Sequence, residues 1–329
     1  MSLAPIADAY TRLDDLSDVT GPLDGDSAFF AGGTDMIPLQ RSGVTEVRTL
    51  VDIKSTDLDA DVSQDGDAWT IGALATLGDL EDHDGLAEAV PAIREAMRQV
   101  ATRQIRNRAT VGGNLLQRPR CSYFRAADID CWMKGGDSCP ARDGVNEFLG
   151  VVPNESPCVA VQPSDLASVL VMLGATVSIR TADGGDRRVA VADLLADPTD
   201  DRRALNTLAS GELVRSISIP ATSDSQRSTY RKAMDRAVWQ FALVGLAASV
   251  TVDDGGTVTA ASLVASGVGA VPHVLDTVAD SLVGSLLDDD AVEAAARSAV
   301  DGLVPLDDNA YKLRLLQGLV RSTLRDLAA

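Results

Sequence analysis

The chain has 329 residues, 45% of them hydrophobic and 4% aromatic, which is ample for a buried core and long enough for two or three domains. Its net charge of −19, from 48 acidic against 29 basic side chains, repels nucleic-acid phosphates and anionic membrane surfaces, so neither is expected as a partner. The apolar stretch 241–252 is too short to cross a bilayer, and residues 1–15 lack the basic-then-apolar order of a secretory signal; a cytoplasmic location is the expectation.

The acidity is spread along the whole chain, and lysine occurs only at Lys54, Lys134, Lys232 and Lys312. This pattern reads as halophilic adaptation, since dense salt screens self-repulsion. It speaks about habitat and not about activity.

In chain order, residues 1–55 read as a small α/β unit. A short helix is expected within 3–16, an apolar run at 27–31 ends in Gly32-Gly33, and 49–53 reads as a strand. Residues 56–220 form a larger unit. A strand at 69–71 leads into Gly72 and a helical start at 77–81. The spacing of Leu86, Val90, Ile93 and Met97 predicts a helix over 86–100. Residues 118–160 are irregular and rich in Pro, Gly, Asp and Cys. Helix 164–173 opens with Ser164 as N-cap and Asp165 in its first turn. Strands are expected at 175–180 and 214–219, and 220–228 reads as a linker. In the last unit, 222–329, strands at 230–234, 247–252 and 257–268 precede helices at 291–300 and 309–327.

All four cysteines, Cys121, Cys131, Cys139 and Cys158, fall in one segment, with gaps of 9, 7 and 18 residues. Four thiols so confined in a cytoplasmic chain point to a metal site more than to disulfides. The gaps are wider than the CxxC pairs of zinc ribbons, whereas a 4Fe–4S cluster needs four thiolates and the count matches. Unlinked or disulfide-paired thiols are the competing reading.

Three glycine turns stand out: Ala31-Gly32-Gly33-Thr34-Asp35, Ile71-Gly72-Ala73, and Thr110-Val111-Gly112-Gly113-Asn114. Such turns let backbone approach a ligand and aim N–H groups at phosphate, or they merely punctuate the chain. Neither GxGxxG nor GxxxxGK[ST] occurs, which disfavours a Rossmann site or a P-loop. His83 and His273 stand alone, His83 on a solvated face and His273 near a turn, with no orienting partner for a general base, and no catalytic residue is assigned.

Together these segments resemble the FAD-binding medium subunit of the xanthine dehydrogenase and molybdenum hydroxylase family. The residues that carry the resemblance are the turn at Ala31–Asp35, Thr70-Ile71-Gly72-Ala73, Arg106 to Leu115, Pro163-Ser164-Asp165-Leu166, and 232–247 with Arg236-Ala237 and Phe241-Ala242-Leu243-Val244. The run from Gly113 to Cys121 with three further cysteines resembles the subset carrying an extra 4Fe–4S cluster, as in aldehyde oxidoreductases and 4-hydroxybenzoyl-CoA reductases. The cysteine gaps vary within that subset, so the ligand set Cys121, Cys131, Cys139 and Cys158 rests on there being no other cysteine.

The resemblance implies an α+β chain: a two-subdomain, p-cresol methylhydroxylase-like FAD-binding fold followed by a C-terminal α+β domain. It implies that Ala31, Gly32, Gly33, Thr34, Asp35 and Met36 wrap the pyrophosphate, with Thr110, Gly113 and Asn114 opposite. Asp165 would hold the ribityl or ring edge, and Val214 and Lys232 would sit near the isoalloxazine. It further implies a molybdenum-cofactor large subunit, a 2Fe–2S small subunit and an external electron acceptor. Two other classes compete: a zinc-binding scaffold without catalysis, and a stand-alone flavoprotein oxidase, which the scarcity of histidine disfavours.

Overall fold

The computed structural model describes residues 7–19, 21, 23–153, 156–223 and 225–328. Among these, the strands form three sheets. The first holds β1 (Ala9–Arg12), β2 (Ser27–Phe30) and β3 (Thr49–Asp52) in the order β1-β3-β2, all parallel. The second holds β4 (Val62–Asp65), β5 (Ala68–Gly72), β6 (Thr176–Arg180), β7 (Asp186–Ala190) and β8 (Leu213–Ile219) in the antiparallel order β4-β5-β8-β6-β7. The third holds β9 (Gln226–Ala233), β10 (Val244–Val252), β11 (Val258–Ser266) and β12 (His273–Val274) in the antiparallel order β12-β11-β10-β9. The mixture of helix and sheet is the expected α+β class.

The third sheet explains how the parts hold together. Along β10, Val244, Leu246, Ala248 and Val250 enter a core with helices Asp276–Leu282, Asp289–Ser298 and Tyr311–Ala328. The alternate residue Ala247, with Tyr230 of β9 and Val264 of β11, enters a second core with helices Pro91–Gln99 and Asp165–Met172. Side chains alternate across a strand, so a strand covered on both faces must be apolar throughout. That is why this stretch reads as a continuous apolar run.

Ser164 caps helix Asp165–Met172 as expected, its Oγ accepting from Ala167 N at 3.0 Å. Three local expectations differ from the structure. The described part of 3–16 contains a strand and not a helix, because β1 pairs in parallel with β3; long-range pairing overrides local propensity here. The helix expected over 86–100 is two helices, Asp84–Ala89 and Pro91–Gln99, because Pro91 cannot supply an N–H to continue the first and opens the second at its N1 position. His83 is not simply solvated: its Nδ1 accepts from Leu86 N at 3.1 Å and its ring packs edge-on against Trp69. No helix among the described residues is long and apolar enough to cross a membrane.

Candidate functional site

The three glycine turns meet at the edge of one cavity of about 910 Å³. β2 runs directly into Ala31-Gly32-Gly33. A Cβ on Gly32 would lie 1.9 Å from the Arg108 carbonyl oxygen, so only glycine allows this turn to lie against the 108–110 backbone. Gly33 has φ +74°, the left-handed region that glycine enters freely. The third turn is bonded to the second: Leu77 N donates to Ala109 O at 2.9 Å, Val111 N to Ala75 O at 2.8 Å, and Gly112 N to Ala73 O at 3.0 Å.

Ala31, Gly32, Gly33, Thr34, Asp35, Met36, Thr110, Gly113 and Val214 all line this cavity. Among the described residues, the backbone N–H groups of Gly32 through Met36 donate no hydrogen bond to another protein group. Unpaired backbone donors facing a cavity are a cradle for an anionic ligand. The volume lies within the range of pockets that hold cofactor-sized molecules. These residues therefore fit the diphosphate of a dinucleotide.

Asp35 lines the cavity but turns its carboxylate to the neighbouring loop. It accepts from Arg118 N at 2.8 Å, Arg120 Nη1 at 2.7 Å and Arg125 Nη2 at 2.8 Å. Burial disfavours the charge on Arg118 and Arg120, and the Asp35 carboxylate opposes that shift. The glycine turn is thus clamped to the segment that carries Cys121.

Asn114, Asp165 and Lys232 do not line the cavity. Asn114 Oδ1 accepts from Ser164 Oγ at 2.5 Å. Asp165 accepts from Lys232 Nζ at 2.7 Å and from Tyr230 OH at 2.7 Å. Lys232 Nζ also donates to Gln99 O at 2.9 Å and Gln240 O at 2.8 Å. The Lys232 and Asp165 side chains are only 1% and 4% exposed, so this knot is sealed. Burial, and then the Asp165 charge, push the Tyr230 phenol well above its ordinary pKa, so it stays a neutral donor.

The four cysteines converge on one small cavity with Pro119, Tyr123, Phe124, Met133 and Pro140. The backbone amides of Phe124 and Tyr123 favour the thiolate form of Cys121, those of Met133 and Lys134 that of Cys131, and that of Ala160 that of Cys158. Burial pushes the Cys121 and Cys131 thiols up and raises Cys158 to about 12. Among the described residues, no three His, Cys, Asp or Glu side chains stand close enough to hold a single metal ion.

Sequence reasoning missed the far wall of the large cavity, formed by 43–47, 127–131, Met133 and Lys134 with Leu39, Phe124 and Arg118. One signal was present: Lys134 is one of only four lysines and lies inside the cysteine segment. His83 and His273 lie outside both cavities.

Comparison with known proteins agrees with this geometry. Residues 6–222 match the FAD binding domain in molybdopterin dehydrogenase, and residues 228–327 match the CO dehydrogenase flavoprotein C-terminal domain. The chain is 31% identical over 306 residues to the aldehyde oxidoreductase FAD-binding subunit PaoB of Escherichia coli, covering 92% of this chain and 91% of that protein. It is 26% identical over 303 residues to the carbon monoxide dehydrogenase medium chain of Afipia carboxidovorans, covering 92% and 85%. A chain of the carbon monoxide dehydrogenase from Hydrogenophaga pseudoflava superposes with TM-score 0.76 at 19% identity, covering all of both chains. The relatives are dehydrogenase and oxidoreductase subunits, medium chains of multi-subunit complexes. With a cradle of free backbone donors at its centre and both family domains spanning its length, this chain belongs to the FAD-binding subunits of the CO dehydrogenase and molybdenum hydroxylase family.

Proposed function

We propose that this chain is the FAD-carrying electron-transfer subunit of a heterotrimeric molybdenum hydroxylase and that its four cysteines hold an additional 4Fe–4S cluster. A large subunit with the molybdenum cofactor oxidises the substrate, and a small subunit relays electrons through 2Fe–2S clusters. This chain passes them through FAD to an external acceptor. Residues 1–55 and 56–220 form the flavin-binding subdomains, and 222–329 the C-terminal domain. The observation that carries the reading is the row of unpaired N–H groups at Gly32–Met36 on a cavity of about 910 Å³, beside four convergent thiols.

The chain's own residues bind, orient and seal. Gly32–Met36 take the diphosphate, and Thr110, Gly113 and Val214 line the same cavity. The carboxylates of Glu46, Asp128 and Asp130 on the far wall suit ribose and ribityl hydroxyls. Asp165 and Lys232 do not face the cavity; Ser164, beside Asp165, bonds Asn114 of the third glycine turn. A flavin accepts electrons singly and releases them in pairs, which suits a junction between one-electron clusters and a two-electron acceptor.

Support for the cluster comes from the four thiols around one cavity and from the backbone amides that favour the thiolate forms of Cys121, Cys131 and Cys158. Backbone donors stabilise thiolate sulfur and tune a cluster. Anaerobic co-purification of the complex, with flavin and metal analysis, tests the whole reading. One FAD per chain, molybdenum, and about four irons above the 2Fe–2S complement are expected, as a cubane contains. Cys139→Ser should remove those extra irons while FAD, supplied at saturation, stays bound. Unchanged iron rejects the ligand set, and a colourless complex rejects the function.

A further inference from the structure

The flavin cavity and the four-thiol cavity share a wall. Phe124, Cys131 and Met133 line both of them. Leu39, in the helix that follows the glycine turn, also lines the large cavity and packs in one cluster with Cys131, Met133 and Cys158. The segment carrying this wall has little regular structure, only the short helices Ser122–Arg125 and Trp132–Lys134. Its outer side is pinned by Arg203, whose Nη1 donates to Trp132 O at 2.8 Å and Gly136 O at 2.9 Å and whose guanidinium lies over the Trp132 ring. Its start is held by Asp35 through Arg118, Arg120 and Arg125. Between these anchors lies Cys131, the one of the four cysteines that lines both cavities.

We propose that metal loading and nucleotide binding are coupled through the Phe124–Cys131–Met133 wall. A cluster bonded to Cys131 orders the wall against which FAD packs, and FAD packed there favours the wall that presents Cys131 to the cluster. Each ligand then binds to a segment whose ordering entropy the other has already removed. Coupling of this kind is reciprocal and spans roughly 5- to 150-fold in affinity. The inference rests on the proposed cluster and goes beyond it, since independent sites would satisfy that proposal equally well.

The test uses the full chain, prepared anaerobically in two forms: reconstituted with iron and sulfide, or stripped with a chelator. Each is titrated with FAD and followed by quenching of flavin fluorescence. The stripped form should bind FAD at least about fivefold more weakly. Saturating FAD should in turn raise the iron retained at a fixed chelator concentration. Met133→Ala leaves all four thiols in place, so it separates the wall from any loss of fold on stripping. Compared with wild type at matched iron content, it should bring the two FAD affinities together. Equal FAD affinity in the iron-loaded and stripped wild type overturns the coupling and leaves the cluster standing. A Met133→Ala chain that keeps the full affinity ratio overturns the wall as its route. A chain that takes up no iron removes the cluster and the coupling together.

Discussion

Two regions of this molecule gather the residues that the sequence singles out, and they treat polar groups in opposite ways. Around the large cavity, the N–H groups of Gly32–Met36 have no protein partner among the described residues. In the knot between helix Asp165–Met172 and β9, the Asp165 carboxylate, the Lys232 ammonium and the Tyr230 hydroxyl are bonded to one another or to backbone. An unpaired donor is tolerated only where water or a ligand reaches it, whereas a buried charge survives only when paired. Unpaired groups therefore mark what the protein binds, and satisfied ones mark what joins its parts. Asp165 and Lys232 join the FAD domain to the C-terminal sheet.

The largest effect follows from breaking the knot. Asp165→Ala leaves the Lys232 charge, its side chain 1% exposed, on two backbone carbonyls with no carboxylate, and leaves the Tyr230 hydroxyl with Ser266 Oγ. Removing one member of a buried pair costs roughly 3–5 kcal/mol, read as a lower urea midpoint. Replacing both charges, Asp165→Leu with Lys232→Met, should cost less, because no charge is then left buried alone. FAD affinity should follow stability in both variants. A fall in FAD affinity at an unchanged urea midpoint would mean that the pair contacts the ligand, and the contrast between the two regions would collapse.

The cavity side is tested by Gly32→Ala. Its Cβ must displace the Arg108 carbonyl, with a stability cost of about 1–3 kcal/mol. Because the turn itself shifts, FAD binding should weaken by more than stability does. Gly113→Ala makes a milder control, since its Cβ meets only the Thr110 hydroxyl, at 2.9 Å. Equal losses of FAD affinity in the two variants would deny the first turn its special place.

The contrast also explains what could be read from the sequence. Glycine turns act through backbone, and a backbone conformation is written locally; the turns Ala31–Asp35 and Thr110–Asn114 are legible in the sequence for that reason, and Ala31–Asp35, Thr110 and Gly113 line the cavity. Helix Asp165–Met172 was legible from its cap, and β10 from its apolar run. Asp165 and Lys232 carried the right identities, but their surroundings depend on partners 65 to 67 residues away. The part of the far wall at Phe124, 127–131, Met133 and Lys134 lies in a largely irregular segment positioned by Asp35 and Arg203, far from it in sequence, and no periodicity marks it. β1 was misread because its pairing partner, β3, lies beyond any local window.

A second sealed lysine sharpens the contrast through pH. The Lys312 side chain is sealed like that of Lys232, but among the described residues its Nζ meets the Gly267 carbonyl, at 2.7 Å, and no carboxylate. Burial alone pushes its pKa down to about 7. In the unfolded chain a lysine titrates near about 10.4. Between these values the unfolded chain binds more protons than the native one, so the unfolding free energy rises with pH. This contribution is complete above about pH 10.4 and is lost as pH falls towards 7; its slope is at most about 1.4 kcal/mol per pH unit. Lys312→Met should therefore stabilise the protein relative to wild type most at and below neutral pH, and by less at each step upward. Urea midpoints for both chains from about pH 6.5 to about pH 9 measure the difference, in which every other titrating group cancels. A difference that stays flat across this range would show that Lys312 keeps its proton in the native state, and that one backbone carbonyl serves a sealed ammonium as well as Asp165 serves Lys232.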